Sequence, residues 1–241
     1  MRKLPVPAQT LIAIVVAGGV GSLLARLPDL ANWGSRGLAA FLLLTVGIVL
    51  TEQFQIPLHF GTERLNFSLT EAVWVGALVL TRASVVTMAV AAGVLLANAR
   101  RRRPAYKGAF NVGQFLIALT AAQLVVDAVR APAVLEPMTF LAIGLGMAAY
   151  AALNAGLVAL VISRAQEIPL RTVLLPPLPE NVVHFAANTA LGLAAAVMWS
   201  AAPEAVPALV LPLAMSFIAY RTLLEGHRTT ERMLAAAPSA S

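Results

Sequence analysis

The sequence predicts an all-α, polytopic transmembrane helical bundle of about eight spans, and three observations carry that expectation. The chain of 241 residues is 59% hydrophobic and only 12% charged, with a mean hydropathy of +0.82. A water-soluble domain of this length carries about 25% charged residues in its polar shell, so most apolar side chains here must face lipid. The apolar residues also fall in runs suited to crossing hydrocarbon, which takes about 20 residues of helix. The basic residues gather in short loops between those runs, as the positive-inside bias requires.

That distribution accounts for the net charge of +6 and the isoelectric point near 10.7 through topology, so a lipid bilayer and not nucleic acid is the expected partner. Zero cysteines exclude disulfides, thiolate metal sites and a cysteine nucleophile. No cofactor and no metal are expected.

Taken in order, the first span runs from Thr10 to Leu24. The start "MRKLPVPAQ" is basic, but no convincing cleavage site followed by polar sequence comes after it, so it stays as a helix. The second runs from Leu38 to Phe54. "LTEAVWVGALVL" from Leu69 and "SVVTMAVAAGVLLANA" from Ser84 form a short pair around "TRAS", where a single re-entrant element would lower the count. Further spans begin near Gly108, Thr139, Asn181 and Val206. With the N-terminus in the cytoplasm, Arg2, Lys3, Arg64, Arg100 to Arg103, Lys107, Arg164, Arg171 and the tail's Arg221, Arg228 and Arg232 share that side. Only Arg26, Arg36, Arg82 and Arg130 fall outside, so both termini are expected to be cytoplasmic. Residues 1–225 read as one bundle and 226–241 as a short tail without an output domain.

Packing and connecting segments follow. Gly144, Ala148, Ala152 and Gly156 recur every fourth residue, a small-residue stripe that lets helices approach closely in lipid, and Ala13, Ala17 and Gly21 repeat the spacing. In "FQIPLHFGTERLNFSLTEA", Pro57 and Gly61 break helix, and Ser68 to Glu71 spell an S-x-x-E capping box. Glu71 is then either the partner in that cap or a carboxylate facing a polar cavity, since an ionisable group at membrane depth is a functional candidate. "SRAQEIPLRTVLLPPLPEN" holds an amphipathic piece and a proline cluster, and is expected to lie along the cytoplasmic interface.

The remaining polar residues within spans need partners. Asn111 and Gln114 share a helix face, and an unpaired amide in hydrocarbon costs several kcal/mol. Asn181, His184 and Asn188 line one face of a later span, and Asn154 lies within the one before it. Converging, these residues line a ligand pocket; pairing with one another, they glue helices together. His184 is a candidate for a pH-sensitive group, and no second His or carboxylate stands at ligand spacing in the sequence. No G-x-S-x-G, H-E-x-x-H, P-loop or paired intramembrane carboxylate appears, and Glu71 with Asp127 is a thin set for an ion pump, so catalysis is not expected. Arg100, Arg101, Arg102 and Arg103 are candidates for anionic lipid headgroups.

At "RRRRPAYKGAFNVGQFLIALTAAQLVV" the chain resembles the vitamin uptake-like sensor family, a multi-span membrane module found ahead of domains that make or degrade cyclic-di-GMP in bacteria. The likeness extends over roughly Leu38 to Glu225, through "FQIPL", "SLTEAVWVGALVL", "NAGLVALVISRAQEIPL" and "PENVVHFAANTALGLAAAV". It implies a fold similar to the substrate-binding S-component of vitamin transporters, used as a small-ligand sensor in the cell membrane. It also implies that alanines spaced like Ala13 and Ala17 dock on a transport subunit. Family members continue through a helix like "AYRTLLEGHRTTERMLAAA", with Tyr220, Leu223, Leu224, His227 and Leu234 near one face, into an output domain. Three functions stay open: a ligand sensor signalling through its C-terminal helix or a membrane or cytoplasmic protein partner, a substrate-capture subunit of a transporter, and an assembly subunit of a membrane complex.

Overall fold

A computed structural model describes residues 4–53, 56–60, 63–129 and 136–209. Among them lie α1 (Val6–Leu24), α2 (Gly34–Gln53), α3 (Thr70–Leu80), α4 (Ala83–Arg100), α5 (Ala105–Val129), α6 (Pro137–Gln166), α7 (Leu170–Leu174) and α8 (Leu178–Ala201). Six of these, α1, α2, α4, α5, α6 and α8, are long and apolar enough to cross a membrane, and the chain is a multi-pass helical membrane protein. The short pair flagged around "TRAS" resolves into α3 and α4. With 11 residues, α3 reaches only about 16 Å, half of a hydrocarbon core of about 30 Å. The expected span from Val206 and the helix carrying Tyr220 to Leu234 fall outside the described residues, apart from a 3₁₀ turn over Pro203–Leu209.

The chain divides into two compact units, residues 1–55 with 68–196 and residues 56–67 with 197–241. In the second unit the segment between α2 and α3 is an antiparallel hairpin, β1 (Ile56–Phe60) and β2 (Glu63–Phe67), pairing Ile56 with Phe67 and Phe60 with Glu63. This strand pair departs from a purely helical reading. Its cause is local: apolar residues alternate at 56, 58 and 60 and again at 65 and 67, the period of a strand.

Within the first unit, sequence punctuation sets the helix ends. Pro137 opens α6 at a position where its missing N–H is not needed. The end of α4 is a left-handed turn at Arg102 (φ 50°), where the Arg103 N–H reaches back to the Asn98 carbonyl and the Arg102 N–H to Ala99, the pattern of a Schellman cap. At the end of α6, Glu167 takes the same conformation (φ 59°) and the Ile168 N–H bonds the Ser163 carbonyl.

Burial identifies the central helices: within an apolar stretch of 18 residues, 56% of α4 and 50% of α5 lie inside the chain, against 11% for α1 with the turn after it and 17% for α2. Trp74, Ile48, Leu116, Leu119, Ile143 and Tyr150 are among the largest fully buried side chains. Glycines set the close approaches. A methyl group on Gly19 would stand 2.5 Å from the Gly113 Cα, one on Gly113 2.7 Å from the Val15 carbonyl, and one on Gly76 2.7 Å from the Gly192 carbonyl. The small-residue stripes read from the sequence lie elsewhere: Ala13, Ala17, Gly21, Gly144, Ala148 and Ala152 are exposed and Gly156 is half-buried. No atom lies within 4 Å of a methyl built on Gly21, Gly144 or Gly156. Internal packing therefore uses the neighbouring glycines of the same helices.

Gly113→Ala is expected to force α1 off α5 and destabilise the protein by about 1–3 kcal/mol, read as a lower melting temperature in detergent. Gly144→Ala adds a methyl in open space and is expected to hold or slightly raise that temperature, since alanine favours helix over glycine by about 1 kcal/mol.

Candidate functional site

Among the buried polar residues of the first unit, two adjoining clusters stand out. The first is built where α3 begins. Ser68 is buried, its Oγ receives the Thr70 N–H at 3.2 Å, and the Ser68 and Thr70 hydroxyls lie 2.6 Å apart. Both hydroxyls turn to Glu52 near the end of α2: Ser68 donates to its Oε1 at 3.3 Å and Thr70 at 2.9 Å. Arg101, in the turn after α4, places a guanidinium nitrogen 3.7 Å from the other oxygen of Glu52. Partial burial lowers the pKa of Arg101 from its ordinary value while Glu52 pulls it back up, and arginine keeps its charge in either case.

Glu71, 4% exposed, carries the network inward. Tyr150 of α6 donates its hydroxyl to Glu71 Oε1 at 3.3 Å. Asn188 of α8 donates its amide to Glu71 Oε2 at 3.2 Å and to the Ser68 carbonyl at 2.9 Å. His184, one helical turn before Asn188, holds Nε2 3.5 Å from Glu71 Oε2 and 3.2 Å from the Asn188 amide nitrogen. Trp74, on the face of α3 that carries Glu71, meets Tyr150 edge-on at 4.9 Å, and Phe185 meets Tyr150 at 5.6 Å. The capping box is thus not built. The helix begins at Thr70, and Glu71 is given to Tyr150, Asn188 and His184.

The second cluster lies one turn along α6. Gln114 donates to Asn154 at 3.2 Å and to Asn111 at 3.4 Å, and Asn111 donates to Asn98 of α4 at 3.5 Å. This is an amide ladder across α4, α5 and α6, the arrangement of interhelical glue. It is not fully satisfied: Gln114 Oε1 and Asn98 Nδ2 are buried without a partner. Farther along α5, Gln123 bonds the Ala83 carbonyl, the Thr87 hydroxyl and Arg26, beside a cavity of about 190 Å³ lined by Thr81, Arg82, Gln123 and Asp127 among others. Of the arginine run, Arg100 and Arg102 are exposed and Arg103 is half-buried.

The sequence residues thus separate: Asn111, Gln114 and Asn154 belong to the ladder, while Glu71, His184 and Asn188 belong to the carboxylate cluster. Sequence reasoning missed Glu52, Ser68, Thr70, Trp74, Tyr150 and Asn98 as members. It also read the membrane carboxylates as unpaired, whereas Glu52 and Glu71 are joined through Ser68 and Asn188. The available signal was a carboxylate closing the apolar run "LLLTVGIVLTE". Comparison with protein-family models, curated proteins and solved structures finds no match.

Replacing both ladder amides, Asn111→Leu with Gln114→Leu, is expected to strand Asn98 and Asn154 at about 1–3 kcal/mol each, visible as a lower melting temperature in detergent. An unchanged melting temperature would show that the ladder holds nothing together.

Proposed function

We propose that this chain is a membrane-embedded binding module for a small ligand, without catalytic activity, set in a bacterial cell membrane with both termini cytoplasmic. The observation that carries the reading is a pair of orphaned polar atoms at the Glu71 cluster. Trp74 Nε1 and Asn188 Oδ1 are buried without a hydrogen-bond partner, and both side chains are 0% exposed. Each such atom costs about 1–3 kcal/mol. An acceptor left open on Asn188, which bonds Glu71 through its other amide atom, and a donor left open on Trp74, whose ring packs against Tyr150, are what a polar ligand completes.

The resemblance to the vitamin uptake-like sensor family supports the same reading, in which ligand occupancy shifts the bundle between two packings and is read by the C-terminal helix or a partner protein. A substrate-capture subunit of a vitamin-type transporter would use the same site and differ by co-purifying with its coupling subunit. The outward stripes on α1 and α6 favour a second reading, an assembly subunit that docks through closely approaching helices.

Native mass spectrometry of the gently extracted protein tests these readings. A small-molecule adduct is expected on the wild-type chain and is expected to be lost in Trp74→Phe, which removes the orphaned N–H and keeps an aromatic ring against Tyr150. A chain carrying a protein partner and no small molecule would replace the ligand reading with the assembly one.

A further inference from the structure

The corner between α3 and α4 is built from extended backbone. Thr81 (φ −143°, ψ −178°) and Arg82 (φ −74°, ψ 144°) carry the chain from one helix to the next as two straight residues. The end of α5 passes beside this corner, and Gln123, Val126 and Asp127, at i, i+3 and i+4, share one face of it. There stands the cavity of about 190 Å³, whose wall joins these three residues to Leu78, Thr81 and Arg82. None of the six belongs to the Glu71 cluster or the amide ladder, so the site stands apart from the ligand reading above.

The polar groups of this wall differ in what they have left to offer. Gln123, 2% exposed, is engaged by its own chain: its amide donates to the Ala83 carbonyl at 3.1 Å and the Thr87 hydroxyl at 3.0 Å, and its Oε1 accepts from Arg26 at 2.9 Å. It is a fixed part of the wall, and Arg26, the second cation of this region, is occupied in holding it. The Arg82 guanidinium and the Thr81 hydroxyl have no partner among the described residues, and Arg82 is exposed, which lets a ligand reach it from outside the chain. Asp127 is exposed as well, and a carboxylate accepts several hydrogen bonds at once, so it takes a further donor beside those it already has. Leu78 and Val126, both buried, supply the apolar part of the wall.

A lone anion in this cavity gains Arg82 and faces Asp127, and a lone cation gains Asp127 and faces Arg82. A molecule that carries both charges satisfies both walls. Size narrows the class: the 190 Å³ falls below the roughly 300–1,000 Å³ of sites for drug-sized ligands. It equals about six waters at about 30 Å³ each, room for a molecule of about six non-hydrogen atoms. We infer that the cavity binds a small zwitterion of the α-amino-acid class, with its carboxylate on Arg82 and Thr81, its ammonium group on Asp127 and its short side chain against Leu78 and Val126.

The test is saturable binding of radiolabelled alanine, an amino acid of that size, to the detergent-solubilised full chain. Unlabelled alanine is expected to displace the label, whereas propionate, which lacks the ammonium group, and ethylamine, which lacks the carboxylate, are expected to leave it in place at the same concentration. Arg82→Gln and Asp127→Asn are each expected to weaken binding roughly tenfold. Both positions are exposed, so the packed interior is untouched and the melting temperatures are expected to match the wild type. Should Asp127→Asn not fold, Arg82→Gln decides alone. Displacement by propionate as strong as by alanine would make this an anion site, and displacement by ethylamine a cation site, and either overturns the zwitterion. Binding that survives both substitutions places the amino acid elsewhere on the chain and overturns the assignment, as does a wild-type protein with no saturable binding of alanine, glycine or serine.

Discussion

Hydrocarbon offers no hydrogen bonds, so a polar group carried to membrane depth has to be answered from within the chain. The junction of Glu52, Ser68 and Glu71 is where that requirement ties the most elements together. The Ser68 hydroxyl reaches the end of α2, its carbonyl receives an amide from α8, and the helix that starts after it presents Glu71 to α6 and α8. Arg101 brings the end of α4 to the same place. Five helices thus depend on one short stretch of chain at the head of α3, and the half-length of that helix lets its first turn lie beside the cluster.

Around this junction, side-chain size decides which helices lie at the centre. Glycines at 19, 113, 76 and 146 remove the Cβ at crossing points where backbone meets backbone or a neighbour's side chain, and close approach substitutes for the hydrophobic drive that lipid does not supply. The amide ladder adds directional bonds to the α4–α5–α6 contact. Because Asn154 sits one turn from Tyr150, the same face of α6 serves both the ladder and the carboxylate cluster. The two polar groups therefore share a wall, and a shift of α6 moves both.

Much of the architecture was legible because membrane helices announce themselves by length and hydropathy, and the spans from Thr10, Leu38, Ser84, Gly108, Thr139 and Asn181 each correspond to a long helix. The shortness of α3 was visible in its run of apolar residues. The hairpin was not read, since its alternating pattern is brief and lies between two strong helical signals. The site was half legible. Glu71, His184, Asn188, Asn111, Gln114 and Asn154 stand out as polar residues in apolar surroundings, but their grouping depends on helix neighbours that no single-chain pattern reveals. The small-residue stripes misled for a related reason: alanine and glycine are so frequent here that spacing alone does not tell an internal face from an outward one, and Gly146 rather than Gly144 meets α5.

The left-handed turn at Arg102 carries a further consequence. As letters, the run from Arg100 to Arg103 is four copies of one residue, and for topology any order of four cations would serve. The turn makes them four different objects. Arg101 faces inward as the counter-ion of Glu52, Arg100 and Arg102 are left to the outside, and the backbone of Arg103 closes the last turn of α4 on Asn98. Asn98 is itself the first rung of the amide ladder. The basic loop is therefore a fastening: it binds the carboxylate cluster on one side and the ladder on the other, and a loop with the same charge but a different backbone path would lose it.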